Sequence, residues 1–364
     1  MDRTINRSTV FYLQVKRTQL KLLLLLLLIA KAFIVDAQSD FDTTYYESCK
    51  KNLSIGLLFA QRSYELRVTQ KITADTNALS PINYIAEARN TSGFIIDYDK
   101  FSLQVGFRTG KTDVAKKGIT DYKNIQLNVG GNKILFEGSY RQYEGFYDSR
   151  SSYYLSNFND STPYYHNNNL NALRIKVRAL YFTNYEKFAY KSVYSCGYRQ
   201  KKSAYTWVLA GSSYYESFSS SSGIIPDSIR NFYGGQQTLN EISNLGIAGG
   251  IGLSGTLVVF KRFFVNATAI PSIAMQFRNY KYIDIQNSKA TYIALNADLR
   301  LSIGYNAEKF FLFICSGTDI HVYEGKGLSI TPRFTTTMFT FGYRFGVNPE
   351  FTKKMQEHSI YKKL

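Results

Sequence analysis

The sequence is short of what many scaffolds depend on. It holds 3 Cys in 364 residues, too few to staple a chain of this size, so a disulfide framework is excluded. The three histidines, His166, His321 and His358, stand far apart, and neither they nor the cysteines show metal-ligand spacing. No Gly-x-Ser-x-Gly elbow occurs. Neither glycine cluster, Gly130-Gly131 or Gly249-Gly250-Ile251-Gly252, leads into a helix that would cradle a phosphate. Helical periodicity is almost absent after residue 50. Only one apolar run approaches the length of a spanning helix, at the extreme N-terminus, which excludes a polytopic helical membrane protein. Aromatics are plentiful instead: 30 Tyr and 26 Phe are incompatible with a disordered chain.

Residues 1–37 read as a cleaved secretory signal. Arg3, Arg7, Lys16, Arg17 and Lys21 form a basic start, Leu22 to Ala30 an apolar run, and Val35-Asp36-Ala37 a cleavage site before Gln38. No cysteine follows at the position a lipid anchor needs. The segment carries six of the 44 basic and two of the 27 acidic residues, so the net charge of +17 falls to +13 on export. A basic exported protein is expected to meet outer-membrane lipid and lipopolysaccharide phosphates rather than nucleic acid.

Period-two alternation fills the rest. Ile293, Leu295, Ala297, Leu299, Leu301 and Ile303 share one face of a segment whose other face carries Asn296, Asp298, Arg300 and Ser302. Leu173, Ile175, Val177 and Ala179 alternate with Arg174, Lys176 and Arg178. Such alternation belongs to strands with one apolar and one polar face. The strands are long, about 10 to 15 residues where soluble strands average about 5 to 6. Apolar faces that often end in Tyr or Phe, opposite polar faces with charges of both signs, fit a membrane barrel better than a soluble sandwich.

The expected fold is therefore all-β: an antiparallel transmembrane β-barrel of about 12 strands. Candidate strands are 53–69, 84–98, 101–109, 119–129, 133–147, 172–183, 187–198, 203–218, 244–259, 262–277, 291–305, 309–322 and 334–346. Tight turns are expected at Asp99-Lys100, Gly130-Gly131-Asn132, Asn184-Tyr185-Glu186 and Asn306-Ala307-Glu308, from hairpin chemistry. That gives thirteen strands, and single-chain bacterial barrels have an even number. One candidate is therefore wrong, or the long polar segment 219–243 hides a further crossing or a plug. The expected organisation is a signal at 1–37, an N-terminal periplasmic segment at 38–49, the barrel at 50–346 and a basic polar tail at 347–364.

Several segments, taken in order, resemble one family: Lys117-Gly118-Ile119-Thr120-Asp121-Tyr122, Tyr140-Arg141-Gln142-Tyr143-Glu144-Gly145-Phe146-Tyr147, Tyr181-Phe182-Thr183-Asn184, Lys187-Phe188-Ala189-Tyr190 and Arg199-Gln200-Lys201-Lys202. They resemble the Bacteroidetes "domain of unknown function 4421" family of outer-membrane proteins over about residues 50 to 346. The resemblance implies an exported β-barrel in a Gram-negative envelope. It implies no activity and carries over no functional residues. Outer-membrane barrels typically end in an aromatic residue that the barrel-assembly machinery reads. Here Tyr343-Arg344-Phe345 is followed by a basic polar tail, so either Phe345 serves as an internal signal or the tail tucks into the periplasm or the lumen.

Three sets of candidate site residues stand out. Arg174, Lys176 and Arg178 form a basic stripe. It either conducts or binds anions in a lumen or is ion-paired with Glu137, Asp298 and other carboxylates, the favoured reading. Arg141 and Arg300 complete this expected lumen charge cluster. Arg199, Lys201 and Lys202 sit between two strands; they would contact lipopolysaccharide phosphate if they face outward or, the favoured reading, form a solvated turn. Asp319 and His321 share a strand face; they either suit a lipid-acting hydrolase with a serine nearby or, the favoured reading, are simply a strand-end acid and base near the membrane interface. The expectation overall is a non-catalytic outer-membrane barrel with no cofactor and no metal, acting as a narrow channel, an envelope-structural protein or a surface binder. A lipid hydrolase and a secreted soluble all-β binder are the alternatives. Oligomeric state is open.

Overall fold

Alternating segments become strands almost everywhere the pattern occurs, and their polarity is inverted relative to a soluble protein. The computed structural model describes residues 41–70, 82–110, 114–321, 323–324 and 327–347, so the proposed signal and nearly all of the tail lie outside the described residues. The strands are β1 (Tyr46–Ser48), β2 (Asn52–Gln70), β3 (Ile82–Tyr98), β4 (Phe101–Arg108), β5 (Asp121–Gly130), β6 (Ile134–Asp148), β7 (Tyr165–Phe182), β8 (Tyr198–Gln200), β9 (Ala204–Ser219), β10 (Leu239–Val259), β11 (Phe263–Tyr282), β12 (Ser288–Asn306), β13 (Phe310–His321), β14 (Tyr323–Glu324) and β15 (Leu328–Gly346). Two single-turn helices, α1 (Val114–Lys117) and α2 (Lys191–Tyr194), interrupt them.

Among the described residues twelve long strands form a closed antiparallel ring. It runs β2-β3-β4-β5-β6-β7-β9-β10-β11-β12-β13-β15 and returns to β2, with the short β14 appended to β15. Closure leaves no unpaired edge, as a barrel in lipid requires. The thirteenth expected strand, 187–198, does not exist. Phe188 through Val193 are buried without alternation, so the segment has no outward face and enters the barrel as the helical turn α2. The expected tight turn at 184–186 is instead the start of a long connection, 183–203, between β7 and β9.

The turns sort by end. Asp99-Lys100, 131–133, 260–262 and 307–309 lie at one end with Asp42 and Val347; the longer connections 149–164 and 220–238 lie at the other. Gly130 has φ +128°, and a Cβ there would stand 2.5 Å from the Ile134 carbonyl oxygen, so this hairpin turn demands glycine. At the loop end β4 and β5 stop short, and β3 pairs directly with β6 through Tyr84↔Asp148 and Ile85↔Tyr147. The wall therefore narrows there.

Outward positions are apolar. Ile251, Ile273, Ile293 and Leu295 expose 61, 62, 78 and 69% of their surface, values that would destabilise a protein in water. Inward neighbours on the same strands, such as Asn266, Gln276, Asp298 and Ser302, are buried. Tyr205, Trp207, Phe263, Phe310, Tyr343 and Phe345 are outward aromatics near the turn end, the position of an interfacial girdle. The apolar face is tall on β10 to β12, where it spans residues 245–259, 263–277 and 293–305. On β2 and β15 it covers only 53–59 and 339–345. Beyond it Gln61, Arg67, Arg333 and Thr337 point outward, with Arg333 Nη1 3.6 Å from Glu65 Oε2.

Candidate functional site: a sealed lumen with a central ion-pair network

The lumen is filled in three layers. At the loop end an aromatic and aliphatic layer joins opposite walls. The Tyr64 ring of β2 stacks on Phe218 of β9, centroids 5.8 Å apart, from strands six places apart in the ring of twelve. Phe334 stacks on the same ring at 4.1 Å, and Tyr143 and Phe146 pack beside it. The 220–238 connection folds into this layer rather than forming a free polar loop. Ile224, Ile225, Ile229 and Tyr233 are buried there, and the Tyr84 hydroxyl donates to the Ile224 carbonyl at 2.7 Å.

At the turn end the 183–203 connection plugs the barrel. Ser302 donates to the Val193 carbonyl (3.1 Å) and Asn306 to the carbonyls of Ser192 (2.9 Å) and Tyr198 (3.2 Å). The Arg344 guanidinium donates to the carbonyls of Cys196 (3.0 Å) and Ala307 (2.5 Å) and to Asn306 Oδ1 (2.8 Å). Barrel side chains thus satisfy backbone carbonyls that an irregular buried segment would otherwise leave orphaned. The segment expected at 38–49 contributes β1, which pairs with β8 beside the plug through Glu47↔Arg199. Burial pushes the Tyr46 hydroxyl up to about 12; it donates to the Tyr185 carbonyl at 2.8 Å.

Between these layers lies the charge network. All seven residues of the expected lumen cluster are in it: Arg174, Lys176, Arg178, Glu137, Arg141, Asp298 and Arg300. Arg178 is held by Glu137 and Asp298. Arg300 Nε stands 3.0 Å from Asp298 Oδ1, its Nη2 3.5 Å from Glu137 Oε2, and its Nη1 donates to the Tyr190 hydroxyl of the plug at 2.9 Å. Lys176 Nζ lies 3.9 Å from Asp298 and 3.8 Å from Asp319. Arg141 reaches Asp319 at 3.6 Å. Arg174 Nε sits 3.0 Å from Glu216 and its Nη1 3.2 Å from Asp319. Arg141 and Asp319 come from opposite walls, so the network ties the barrel across its diameter.

Glu216 was missed by the sequence reading, although the phase of β9 could have found it. It follows Thr206, Val208, Ala210, Ser212 and Tyr214 on the inner face. Asp319 and His321 do point into the same lumen, as their shared face predicted. Asp319 is engaged by Arg141, Arg174 and Lys176. His321 Nε2 is 2.8 Å from Arg174 Nη2, and its Nδ1 is 3.5 Å from Glu216 Oε1. Arg199, by contrast, lies at the turn end, 3.2 Å from Glu47 and 3.4 Å from Glu308; Lys201 Nζ is 3.9 Å from Glu47, and Lys202 Nζ donates to the Thr44 hydroxyl at 3.2 Å.

An apolar exterior around a polar, ion-paired interior defines a β-barrel of the outer-membrane type. The chain belongs to the family described as "Domain of unknown function (DUF4421)", whose model matches residues 40–345. No curated protein matches it. Among solved structures, the outer membrane protease OmpT of Escherichia coli is 10% identical with a TM-score of 0.40, covering 85% of this chain and 99% of that one. The translocator domain of the autotransporter NalP from Neisseria meningitidis is 10% identical with a TM-score of 0.30, covering 93% and 98%. The toluene transporter TodX of P. putida is 8% identical with a TM-score of 0.27, covering 82% and 91%.

Proposed function

We propose that this protein is a sealed, non-catalytic outer-membrane barrel that acts in envelope architecture or by binding through its loop end. A single observation carries the reading. The barrel turns its apolar side chains outward and crosses its lumen from wall to wall with an ion-pair network between two packed layers. The outward band supports insertion in lipid, and the filled lumen argues against a continuous aqueous path. Residues 1–37 would deliver the chain through the inner membrane, and the family resemblance implies a Bacteroidetes, Gram-negative envelope.

Short turns of such barrels face the periplasm and long loops face outside. By that rule the plug, β1 and both strand-bearing termini are periplasmic. Arg199, Lys201 and Lys202 would then lie on the periplasmic side, away from lipopolysaccharide. Lipid contact falls to the outward band, and Phe345 remains the candidate signal for the assembly machinery. Asp319 and His321 serve the ion-pair network in this reading rather than hydrolysis.

The test is twofold. The native protein should fractionate with outer membranes and change gel mobility on boiling. Reconstituted in a planar bilayer, it should pass no steady current. A soluble protein indifferent to boiling would refute the membrane placement, and a steady ion-selective current would refute the sealed lumen.

A further inference from the structure

Arg62 is an interior cation that stands outside the ion-pair network. Arg62 of β2 is 3% exposed, and no carboxylate among the described residues lies within ion-pair distance of it. Its Nη1 donates to the Tyr122 hydroxyl, and its Nε has no partner. A buried guanidinium without a counter-charge is costly. The central network does not relieve it, because Arg141, Arg174, Lys176, Arg178 and Arg300 already outnumber Glu137, Glu216, Asp298 and Asp319. Arg62 raises the count to six cations against four carboxylates.

Beside Arg62 the lumen contains a cavity of about 90 Å³. Arg62, Arg141 and Arg300 line it together with the amides of Gln104, Asn124 and Gln126. Asp298 and Asp319 also border it, but both are already committed. Asp298 is held by Lys176, Arg178 and Arg300, and Asp319 by Arg141, Arg174 and Lys176. Asn124 is buried with its Oδ1 unpartnered, and rotating that amide would present its NH₂ to an acceptor. Water takes about 30 Å³ in the liquid, so the space suits a few waters or one small polyatomic ion.

We propose that this cavity binds a small tetrahedral oxyanion of the sulfate or inorganic phosphate class. Three guanidinium groups supply charge-assisted donors in forked geometry, the amides supply neutral donors, and the anion offsets the surplus positive charge. The site belongs to the interior and stands whether or not the loop end binds a partner.

The experiment uses the refolded full barrel in detergent free of lipopolysaccharide. Radiolabelled sulfate and radiolabelled inorganic phosphate are tested separately by equilibrium dialysis, in chloride at constant ionic strength. The expected result is saturable binding of a single equivalent of at least one ion. Arg62→Gln should weaken it by about tenfold or more, the equivalent of about 1.4 kcal/mol. Thr336→Leu keeps every charge but fills the cavity, which Thr336 lines, and should abolish binding. Arg333→Gln, on the outer face, should bind as the native protein does. The proposal is overturned if the folded native barrel binds neither ion saturably, or if Thr336→Leu binds as well as the native protein. Should Arg62→Gln fail to fold, Thr336→Leu decides alone.

Discussion

Asp298 of β12 and Asp319 of β13 stand directly opposite each other in the antiparallel register, two carboxylates facing the same lumen. Like charges so placed are destabilising. Lys176, projecting from β7 across the barrel, lies within 4 Å of both and offsets their repulsion. A cross-strand pair that repels locally has become a tie across the lumen.

Removing that tie should be expensive. Lys176→Met leaves the carboxylates in register with one cation fewer, and breaking such buried pairs costs about 3 to 5 kcal/mol. The urea midpoint of the heat-modifiable folded band measures it. Adding Asp319→Asn should deepen the loss, because Arg141 and Arg174 then also lose their carboxylate. A double variant as stable as the native protein would show that repulsion between the two aspartates, not lost ion pairing, sets the cost.

The aromatic layer gives a second contrast. Tyr64 touches Phe218, Phe334 and Tyr143, and its hydroxyl has no hydrogen-bond partner. Tyr64→Ala should lose about 3 to 5 kcal/mol, as large aromatic truncations do. Tyr64→Phe should be neutral or stabilising, since it removes an unsatisfied buried polar group. Loss of stability in Tyr64→Phe would place a bound water or ion on that oxygen.

The uneven outer band makes a third. Leu299 lies in the middle of the apolar run of β12, while Thr335 points outward beyond the short run of β15, near Ser63 and Thr318. Leu299→Arg should cost about 2 to 4 kcal/mol in lipid, and Thr335→Arg about 0 to 1 kcal/mol. Unfolding of both variants in vesicles measures the difference. Equal costs would mean that the band is level around the barrel.

Much of this architecture was legible because strand phase is a local property. Leu173 to Ala179 against Arg174 to Arg178 already separates lipid-facing from lumen-facing positions, and the barrel follows. The network's partners were less visible. Arg174 meets Asp319 only after β7 and β13 close the ring on opposite sides, and no spacing in sequence encodes that approach. The false strand at 187–198 arose for a related reason. Phe188 and Tyr190 fall on one face of such a strand, but Ala189 and Lys191 on the other face are buried as well. Only a segment surrounded by protein buries both faces. In the 220–238 connection, Ile224-Ile225 marked an apolar insertion inside a segment whose serines suggested a free loop.

The plug itself can be tested through Arg344 and Cys196. Arg344 of β15 is almost completely buried, and it holds the plug by donating to the Cys196 carbonyl while also reaching Ala307 and Asn306. Its ring contact with Phe311, 5.1 Å from the centroid, fixes the guanidinium in place. Arg344→Met would keep much of the apolar bulk but remove every donor. Hydrogen bonds from charged groups are worth about 1.5 to 3 kcal/mol each, and the orphaned carbonyls would favour a plug partly released toward water. The Cys196 thiol, 1% exposed, reports this directly in a background carrying Cys49→Ser and Cys315→Ser. In the native plug, maleimide should label Cys196 only on unfolding; in Arg344→Met it should label the folded, heat-modifiable form. If Cys196 stays protected while overall stability falls, the plug is held by its own packing through Val193 and Tyr190, and Arg344 serves the barrel wall instead.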